Sequence, residues 1–398
     1  MAIKHNHSVA LLSFTAMILL SFAVKTANAN DGTYYTKGNQ LVPLMETDIS
    51  VQKEVLTISL MDNGYARVDV YYEFWNPRNE TKRLLMGFEA DPSYNDDYKF
   101  HPDGVHPNIH NFTVEMNGRT ISYQNAPCLA GVVPINPIDT NKHHYIFDNN
   151  ELYEIGSGPE YEDYSGVDKG LSFAYVYYFY ADFQPGLNRI HHTYTYRMSV
   201  VVGIPYVLDY KLTPATRWAN KQIDDFTLVI RVDSTAKHFF LSEEPFPGAE
   251  FTVLEGAGKV RHSKDYHTPV FECSLRNGAI ALHLNNFKPQ SELNMRAVGV
   301  YDCHDYENNV FHFGTTYDRT LDISLWYDDS VDKIEPSDKA FRQHVARNLP
   351  FAHRGHVFRD AELRRFFESQ WWYMPDPNYK DDTSDFTEVD WTFVNVKL

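Results

Sequence analysis

The residues best suited to recognition chemistry lie near the end of the chain, between Ser337 and Pro375. Seven Lys and Arg residues stand there against four Asp and Glu residues, although the whole chain has 36 basic and 53 acidic residues and a formal net charge of −17. Guanidinium groups bind carboxylate or phosphate in paired hydrogen bonds, and neighbouring aromatic rings can stack on a ligand. The candidate binding residues are His353, Arg354, Arg359, Arg364, Trp371 and Tyr373.

This basic segment has two alternative uses. It could bind an anionic envelope polymer or another envelope protein. It could equally dock onto the acidic remainder of its own chain, because electrostatic attraction favours both partners. The overall negative charge disfavours nucleic acid, whose phosphate backbone requires a basic face.

Other candidate chemistries have weaker support. His101, His106 and His110 share one short loop, but their spacings of five and four fit no helix-borne zinc motif, so we expect no metal and no cofactor. The pair His191-His192 lies in a strand pattern that places its two members on opposite faces. The sequence contains neither Gly-x-Ser-x-Gly nor His-Glu-x-x-His, and we assign no catalytic residue.

The elements that precede this segment follow a strand pattern. From Ala66 to Phe74, apolar and polar residues alternate with a period of two, which indicates a strand with one buried face. Turn dipeptides separate such strands and predict tight hairpins. The predicted turns are Asn63-Gly64, Asn117-Gly118, Pro185-Gly186 and Asn277-Gly278. The predicted fold is therefore mostly β: an antiparallel β-sandwich body followed by a small α-helical C-terminal domain.

Residues 30–232 form the predicted β-sandwich body, and the strands of 233–333 form either a second lobe or the completion of the first. Two lobes are favoured because one sandwich of nearly 300 residues would be large. Residues 125–169 are predicted to form a long surface excursion, either functional or disordered. A short helix over 214–220 should set Trp218 onto the sheet.

A helical domain is predicted over 334–378, followed by an acidic tail over 379–398. Ser337 is a good N-cap for a first helix that Pro350 and Gly355 should end. Asp360 should cap a second helix. The alternation of the last residues, 394–398, allows an edge strand.

The run Phe351-Ala352-His353-Arg354-Gly355, with Phe358, Leu363 and Trp372-Tyr373-x-Pro375, resembles the YARHG domain, a small bacterial module. Phe351 stands where the family has Tyr, and His353-Arg354 reverses its Arg-His pair. The resemblance implies an exported protein and no established activity. The structural motif residues are Phe351, Ala352, Gly355, Phe358, Leu363, Phe367, Trp372 and Pro375.

Within this motif the polar pair needs partners, because unpaired burial of polar groups is costly. We expect Arg354 to turn inward, towards helix-end carbonyls or a carboxylate such as Asp360, because its planar fork can satisfy several acceptors. We expect His353 to face outward, beside Trp371. Phe358, Leu363, Phe367 and Trp372 should be buried together as a small core.

The body resembles a second bacterial family, domain of unknown function 4424. The resemblance lies in Glu54-Val55-Leu56-Thr57-Ile58, in Val68-x-Val70-x-Tyr72-x-Phe74-x-Asn76, and in Asn111-Phe112-Thr113-Val114. It recurs at Tyr196-Arg197 and Trp218. This resemblance implies a β-rich exported body without an established activity.

Residues 1–29 have the pattern of a cleaved signal peptide. Lys4 precedes an apolar run, and Ala27-Asn28-Ala29 supplies a small-x-small cleavage site. The leader contains no Cys, so the chain is not a predicted lipoprotein, and we expect a secreted or periplasmic monomer without a membrane span after cleavage. An exported chain can oxidise cysteines, and Cys273 with Cys303 is the candidate disulfide, the alternative being three reduced thiols.

The function hypothesis is a non-enzymatic cell-envelope protein with a binding or assembly role. The alternative is a hydrolase of cell-wall glycan or peptide with its site between two β lobes, under the 125–169 excursion.

Overall fold

The computed structural model describes residues 37–39, 41–43, 47–61, 64–90, 104–129, 145–148, 151–154, 173–201, 204–232, 237–263, 269–298, 304–305, 310–311 and 339–395. All of these belong to one compact unit, Thr33–Leu398. The predicted leader 1–29, the predicted cap Ser337 and Cys303 lie outside the described residues.

The strands are β1 Lys37–Asn39, β2 Leu41–Pro43, β3 Ser50–Leu60, β4 Tyr65–Asn76, β5 Lys82–Ala90, β6 Ile109–Met116, β7 Arg119–Thr120, β8 Gln124–Leu129, β9 Tyr145–Asp148, β10 Glu151–Glu154, β11 Phe173–Phe183, β12 Gly186–Arg197, β13 Ser199–Val201, β14 Ile204–Lys211, β15 Ile223–Val232, β16 Lys237–Ser242, β17 Thr252–Ser263, β18 Val270–Phe287, β19 Leu293–Val298, β20 His304–Asp305 and β21 Val310–Phe311. The helices are α1 Lys339–His353, α2 Ala361–Ser369 and α3 Glu388–Val394, and Thr213–Arg217 form one 3-10 turn.

Two sheets face each other in the body, as the sequence predicts. The larger has the strand order β1-β14-β19-β16-β18-β15-β3-β4-β12-β6-β7, with β13 on β14 and β17 on β18; the smaller has the order β2-β5-β11-β8. Rings from the two sheets meet in the core: Phe88 lies 4.8 Å from Tyr194, and Phe112 lies 4.9 Å from Tyr177. Alternation along β4 and β12 buries one face of each strand, which is the pattern read from the sequence.

The larger sheet is antiparallel except at two places. Strand β3 pairs in parallel with β15, from Val51 opposite Ile223 to Leu60 opposite Val232, and β1 pairs in parallel with β14. A parallel pair requires a crossover, which the long connection between residues 60 and 223 supplies. The alternating pattern of each strand predicts its buried face but does not predict which neighbour it pairs with.

Strands from both predicted body segments share the larger sheet. Strand β18 pairs with β15 over nine residue pairs, and β19 pairs with β14. The strands of 237–298 therefore complete the first sandwich, and the favoured two-lobe arrangement is not the one they adopt. Strands β19, β16 and β18 lie between β14 and β15 in this sheet, so they extend the existing hydrophobic core, whereas a separate lobe would need a core of its own.

Two of the three predicted hairpins are confirmed, and so is the predicted turn at Pro185-Gly186. Gly64 takes positive φ between the paired strands β3 and β4, and Asn117 and Gly118 have φ values of 51° and 77° in the turn between β6 and β7. Gly186 takes positive φ where the chain passes from β11 in the smaller sheet to β12 in the larger sheet. The fourth prediction, Asn277-Gly278, is wrong, because β18 runs through this dipeptide without turning. The opposing strand is irregular there, with register shifts on either side of Glu255, so the dipeptide accommodates a bulge instead of a reversal.

The predicted short helix near 214–220 is a 3-10 turn at Thr213–Arg217, and it places Trp218 in the core. The Trp218 ring lies 4.5 Å from the ring of Phe74. Burial of a ring this large in the core contributes about 2–3 kcal/mol. Part of the predicted 125–169 excursion forms β8, β9 and β10, and its remaining residues lie outside the described ones.

In the described part of the chain no helix has the length and apolar character needed to cross a membrane.

Candidate binding surfaces of the C-terminal domain and the sheet

The motif Phe351-Ala352-His353-Arg354-Gly355-His356 is the C-terminal cap of α1. The His356 N–H donates to the Phe351 carbonyl at 3.0 Å, and the Gly355 N–H donates to the Ala352 carbonyl at 2.9 Å. Gly355 has φ +92°, a conformation that glycine adopts without strain. This pair of bonds is the Schellman arrangement, which satisfies carbonyls that the helix end leaves open. Helix α1 continues past Pro350 to His353, so the prediction that Pro350 ends it is wrong.

Arg354 turns inward, as predicted, and organises the domain. Its Nη1 donates to the Pro350 carbonyl at 3.0 Å, and its two Nη atoms contact the two Asp390 carboxylate oxygens at 3.1 and 3.0 Å. Its Nε lies 3.1 Å from Asp385, and its guanidinium stacks on the Phe386 ring at 4.3 Å. The carboxylate partners are thus in the tail and are not Asp360, the partner named from the sequence.

His353 is also buried, which corrects the prediction that it faces outward beside Trp371. Its ring stacks on Trp372 at a centroid distance of 4.2 Å and an interplanar angle of 15°. The ring of His238, on β16, lies 5.9 Å from His353 and 5.8 Å from Trp372. The flat imidazole of His353 thus packs between the rings of Trp372 and His238. The sequence shows only that a polar residue precedes Arg354, and it does not show these neighbouring rings.

The predicted small core is confirmed. Phe358, Leu363, Phe367 and Trp372 are all buried. The Phe358 and Phe367 rings stack at 4.5 Å, and Phe367 lies 6.2 Å from Trp372. Asp360 caps α2 as predicted: its Oδ1 accepts the N–H groups of Glu362 and Leu363, and the Leu363 bond is the main reason that its pKa is lowered.

The tail folds onto the motif instead of extending as an edge strand. Residues Glu388–Val394 form α3, which begins with a capping box in which the side chains of Thr387 and Asp390 bond each other's backbone N–H. Phe393 is fully buried. Because Asp390 both closes this cap and binds Arg354, one carboxylate joins the end of α1 to the start of α3.

A buried polar seam, which we call the domain seam, attaches the C-terminal domain to the larger sheet. Lys259 of β17 donates to the carbonyls of Trp371 and Tyr373 at 2.8 and 2.9 Å. Arg276 of β18 donates to the Arg354 carbonyl. Burial lowers the pKa of both cations, which shows that each leaves water to bind neutral oxygens.

Trp371 lies at the edge of the domain seam. The Arg261 guanidinium lies over its ring at 4.5 Å, and the Arg261 Nε also contacts buried Glu272 at 2.6 Å. Tyr373 is buried, its hydroxyl donates to the His356 carbonyl, and burial raises its pKa to about 12. Two alternative uses are proposed for the basic segment, binding of an external partner and docking onto its own chain. Trp371, Tyr373 and Arg354, three of its candidate binding residues, take part in docking onto the larger sheet.

The remaining candidates face solvent. Arg359 and Arg364 are exposed, with no ion pair among the described residues, and so is Arg365. Asp360, Glu362 and Glu368 are exposed on the same segment and balance these charges locally. Pro375, named as a motif residue, is exposed as well, and Phe351 is half-buried.

A second surface is formed by the solvent-facing side of β4, β12 and β6. In the pairing of β12 with β4, His191 lies opposite Tyr71, Arg189 lies opposite Glu73, and Leu187 lies opposite Trp75. Glu115 of β6 lies opposite His191. A cavity of about 300 Å³ opens here, lined by Tyr71, Glu115, Asn117, Gly118, Arg189 and His191. We call it the sheet-face site.

Hydrogen bonds fix the orientation of several groups in the sheet-face site. The Tyr71 hydroxyl donates to Glu73 at 2.7 Å and accepts from the Arg189 Nε at 3.1 Å. His191 Nε2 lies 2.9 Å from Asp69. Burial, followed by the Glu73 bond, raises the pKa of Tyr71, so the phenol stays protonated and can both donate and accept.

Two groups in the sheet-face site keep open hydrogen-bonding capacity. Neither Nη atom of Arg189 bonds any described residue, since the side chain is held only through Nε. The Glu115 carboxylate is exposed and has no partner among the described residues. Donor and acceptor capacity therefore stand side by side in one cavity.

Only part of this surface is visible in the amino-acid sequence. The period-two alternation of β4, which can be read from the sequence, places Tyr71, Glu73 and Trp75 on the same solvent-exposed face. The sequence pattern does not show that β12 lies between β4 and β6, which is what brings Arg189 and Glu115 to Tyr71.

The histidine loop and the cysteines can be placed in part. His106 is buried, where its Nδ1 accepts the Asn108 N–H at 3.1 Å, while His110 is exposed and His101 lies outside the described residues. Within the described ranges no group of His, Cys, Asp and Glu could hold a metal. Cys273 is buried, and burial raises its pKa. Its candidate disulfide partner Cys303 lies outside the described residues, so this pairing stays a prediction.

Comparison with known proteins gives matches for both ends of the chain. The family model described as YARHG domain matches residues 326–395, and the model described as domain of unknown function 4424 matches residues 29–128. The YARHG match includes the α3 segment that binds Arg354. No curated protein sequence matches the chain significantly.

Among solved structures, a crystal structure from Legionella pneumophila, described as a candidate nutrient-binding protein, has a TM-score of 0.51 and 20% identity over 92% of this chain and 99% of that chain. This likeness shows a shared fold. An M1 zinc metallopeptidase from Deinococcus radiodurans has a TM-score of 0.25 and 11% identity over 64% of this chain and 43% of that chain. Its TM-score is too low to support an argument. The chain is therefore similar to two known families, to the YARHG domain over residues 326–395 and to domain of unknown function 4424 over residues 29–128.

Proposed function

We propose that this protein is a non-enzymatic binding protein of the cell envelope, acting outside the cytoplasm, and that it binds its ligand at the sheet-face site. The observation that carries the proposal is the pairing of Glu115, without a described partner, with the open Nη atoms of Arg189 in a cavity of about 300 Å³. This volume is at the lower end of the range that is typical of small-ligand sites. The leader pattern and the YARHG domain support the extracytoplasmic location.

Two further features support a binding role. The polar side chains around the cavity are held by one another, as in the Tyr71–Glu73–Arg189 group, so little side-chain entropy is lost when a ligand binds. The structure of similar fold from Legionella pneumophila is also described as a candidate nutrient-binding protein.

The YARHG domain has a structural role in this proposal. Its motif residues Arg354, His353 and Trp372 are buried in the cap of α1 and at the domain seam. A ligand in solution cannot reach them without opening the domain. The exposed Arg359 and Arg364 stay available as a second contact surface.

The hydrolase alternative needs a cleft between two lobes. The strands of 237–298 instead join the same sheet as those of 50–232, which removes the geometric basis for that site among the described residues.

Co-sedimentation of the mature protein with purified envelope fractions tests the proposal. We expect the wild type to pellet with at least one fraction, and the double variant Glu115→Gln/Arg189→Ala to remain in the supernatant. The double variant Arg359→Ala/Arg364→Ala is the matched comparison for the surface predicted from sequence, and it should still pellet. Binding lost only in the second variant would move the contact to the YARHG domain, and a wild type that pellets with no fraction would refute the binding role.

A further inference from the structure

We propose that the ligand of the sheet-face site is an uncharged glycan, held by polar contacts in the cavity and by stacking on Trp75. This inference rests on the proposed binding function and specifies its ligand class.

The polar groups of the cavity match hydroxyl groups. A sugar hydroxyl both donates and accepts, so it needs donors and acceptors close together. The Arg189 Nη groups offer only donors, and the Glu115 carboxylate offers only acceptors. The Tyr71 hydroxyl donates its hydrogen to Glu73, and its second lone pair can accept from a ligand. A guanidinium and a carboxylate can each span two neighbouring hydroxyls, since both are planar forks.

The charge balance disfavours an anionic ligand. The Arg189 cation already faces Glu73 at 3.4 Å, and His191 bonds Asp69. Glu115 adds a further negative charge, on a chain with a net charge of −17. A phosphate or carboxylate ligand would therefore be repelled, whereas a neutral polyol meets no such barrier.

An apolar platform lies next to the polar residues of the cavity. Trp75 and Leu187 stand opposite one another, 42% and 39% exposed, on the same face as Glu73 and Arg189. Two residues along a strand span about 6.6 Å, so the platform is roughly one sugar ring away from the cavity. Pyranose rings present a C–H face to which a flat aromatic ring is complementary. The edge of the Trp75 ring lies next to Gly186, where an added Cβ would be 3.6 Å from it.

The test is calorimetric titration of the full-length mature protein with cellobiose, maltose and N,N′-diacetylchitobiose, and with hexalysine as a cationic probe. We expect one of the neutral sugars to bind, and Trp75→Ala and Arg189→Ala each to weaken it at least tenfold. Trp391→Ala is the matched control, because Trp391 is a tryptophan of similar exposure, 44%, on α3. That variant should bind as the wild type does, and thermal melts should confirm that all three variants fold.

The other outcomes overturn the glycan assignment. No binding of any neutral sugar would do so, as would sugar binding that Trp75→Ala and Arg189→Ala leave unchanged. Hexalysine binding that Glu115→Gln abolishes would show a cationic ligand instead. In each of these cases, retained pelleting with envelope fractions would leave the proposed function standing, so the two failures are distinguishable.

Discussion

Arg354 is the residue at which the helix cap, the tail and the domain seam meet, and its substitution should be the most damaging in the YARHG domain. It is 5% exposed, and Arg354→Ala would leave the Asp390 carboxylate, 2% exposed, without its cation. Removal of one partner from a buried ion pair costs about 3–5 kcal/mol. We expect a loss of that size in the free energy of unfolding measured with urea.

A second variant separates the buried charge from the lost packing. Arg354→Met/Asp390→Asn removes both charges and should be more stable than Arg354→Ala, because no uncompensated carboxylate remains. If Arg354→Ala unfolds at the same urea concentration as the wild type, the guanidinium does not hold the tail.

Substitution of His353 should also lower the free energy of unfolding, contrary to the expectation from the sequence. Its ring is stacked on Trp372 and 1% exposed, so His353→Ala leaves a cavity beside a large aromatic ring and should cost a few kcal/mol. Arg359→Ala, at an exposed position four residues from the same cap, should change the stability by no more than about 0.5 kcal/mol. Urea unfolding of the two variants side by side checks this, and equal stabilities would contradict it.

At the scale of elements, glycine acts differently in a hairpin turn and in a strand bulge. Gly118 and Gly256 both have positive φ, 77° and 69°. A Cβ at Gly118 would meet open space, whereas a Cβ at Gly256 would overlap the backbone of Asn277 in the neighbouring strand β18. Gly118→Ala should therefore cost about 1 kcal/mol, from the backbone conformation alone.

Gly256→Ala should cost at least twice as much, because the bulge must also shift away from β18. Thermal unfolding of the two variants under identical conditions measures the difference. Equal losses would mean that the strands separate easily at this bulge.

The sequence predicts elements better than it predicts their neighbours. The alternation of β4, the turn at Asn117-Gly118 and the Asp360 cap are local patterns, and the structure contains all three. Asn277-Gly278 fails because the same dipeptide suits a turn and a bulge, and only the opposing strand decides between them. The helix α3 was missed although its signal, Thr387 three residues before Asp390, is local.

The candidate site shows the same limit. The exposed face of Tyr71 and Trp75 follows from period two, but the pairing of β12 with both β4 and β6 is a long-range property of the sheet. Likewise, the basic residues of the YARHG domain are visible in the sequence, whereas the burial of His353 depends on β16 and its His238.

At the scale of the whole molecule, His192 and His238, two of the buried histidines, should make the stability depend on pH. Burial lowers the pKa of His192 and of His238 to about 3. In the unfolded chain a histidine has a pKa near 6.5, so below that pH the unfolded state binds protons that the folded state excludes. Stability is therefore complete above pH 6.5 and falls as the pH decreases towards 3.

Between pH 7 and pH 5 the loss should be about 2 kcal/mol for each of these histidines. Asp48, whose pKa is lowered to about 2 by its hydrogen bonds to Lys82 and Arg78, loses its contribution only below about pH 4. His262, whose pKa is raised mainly by Glu243, acts in the opposite direction but is partly exposed and contributes little.

Urea unfolding at pH 7 and pH 5 should show this loss in the free energy of unfolding, and His192→Phe should roughly halve the loss. A free energy of unfolding that is equal at both pH values would contradict the burial of these rings.

The domain seam should make the YARHG domain and the sheet unfold together. Lys259 and Arg276 donate to three backbone carbonyls of the C-terminal domain, and hydrogen bonds from charged donors contribute about 1.5–3 kcal/mol each. Calorimetry of the wild type should therefore give one cooperative transition. In Lys259→Met/Arg276→Met the carbonyls lose their donors while most of the side-chain volume remains. The domain should then melt separately, at a lower temperature than the sheet, because coupling between two units depends on the free energy of their contact.

Near-ultraviolet circular dichroism can assign the earlier transition of that variant, since the stacked His353–Trp372 pair should lose its signal there. Arg359→Met/Arg364→Met is the matched control, with two exposed arginines of the same domain replaced in the same way, and it should keep the single transition of the wild type. A single unshifted transition in Lys259→Met/Arg276→Met would show that apolar packing of Trp372 against the sheet, and not the buried cations, couples the domain to the body.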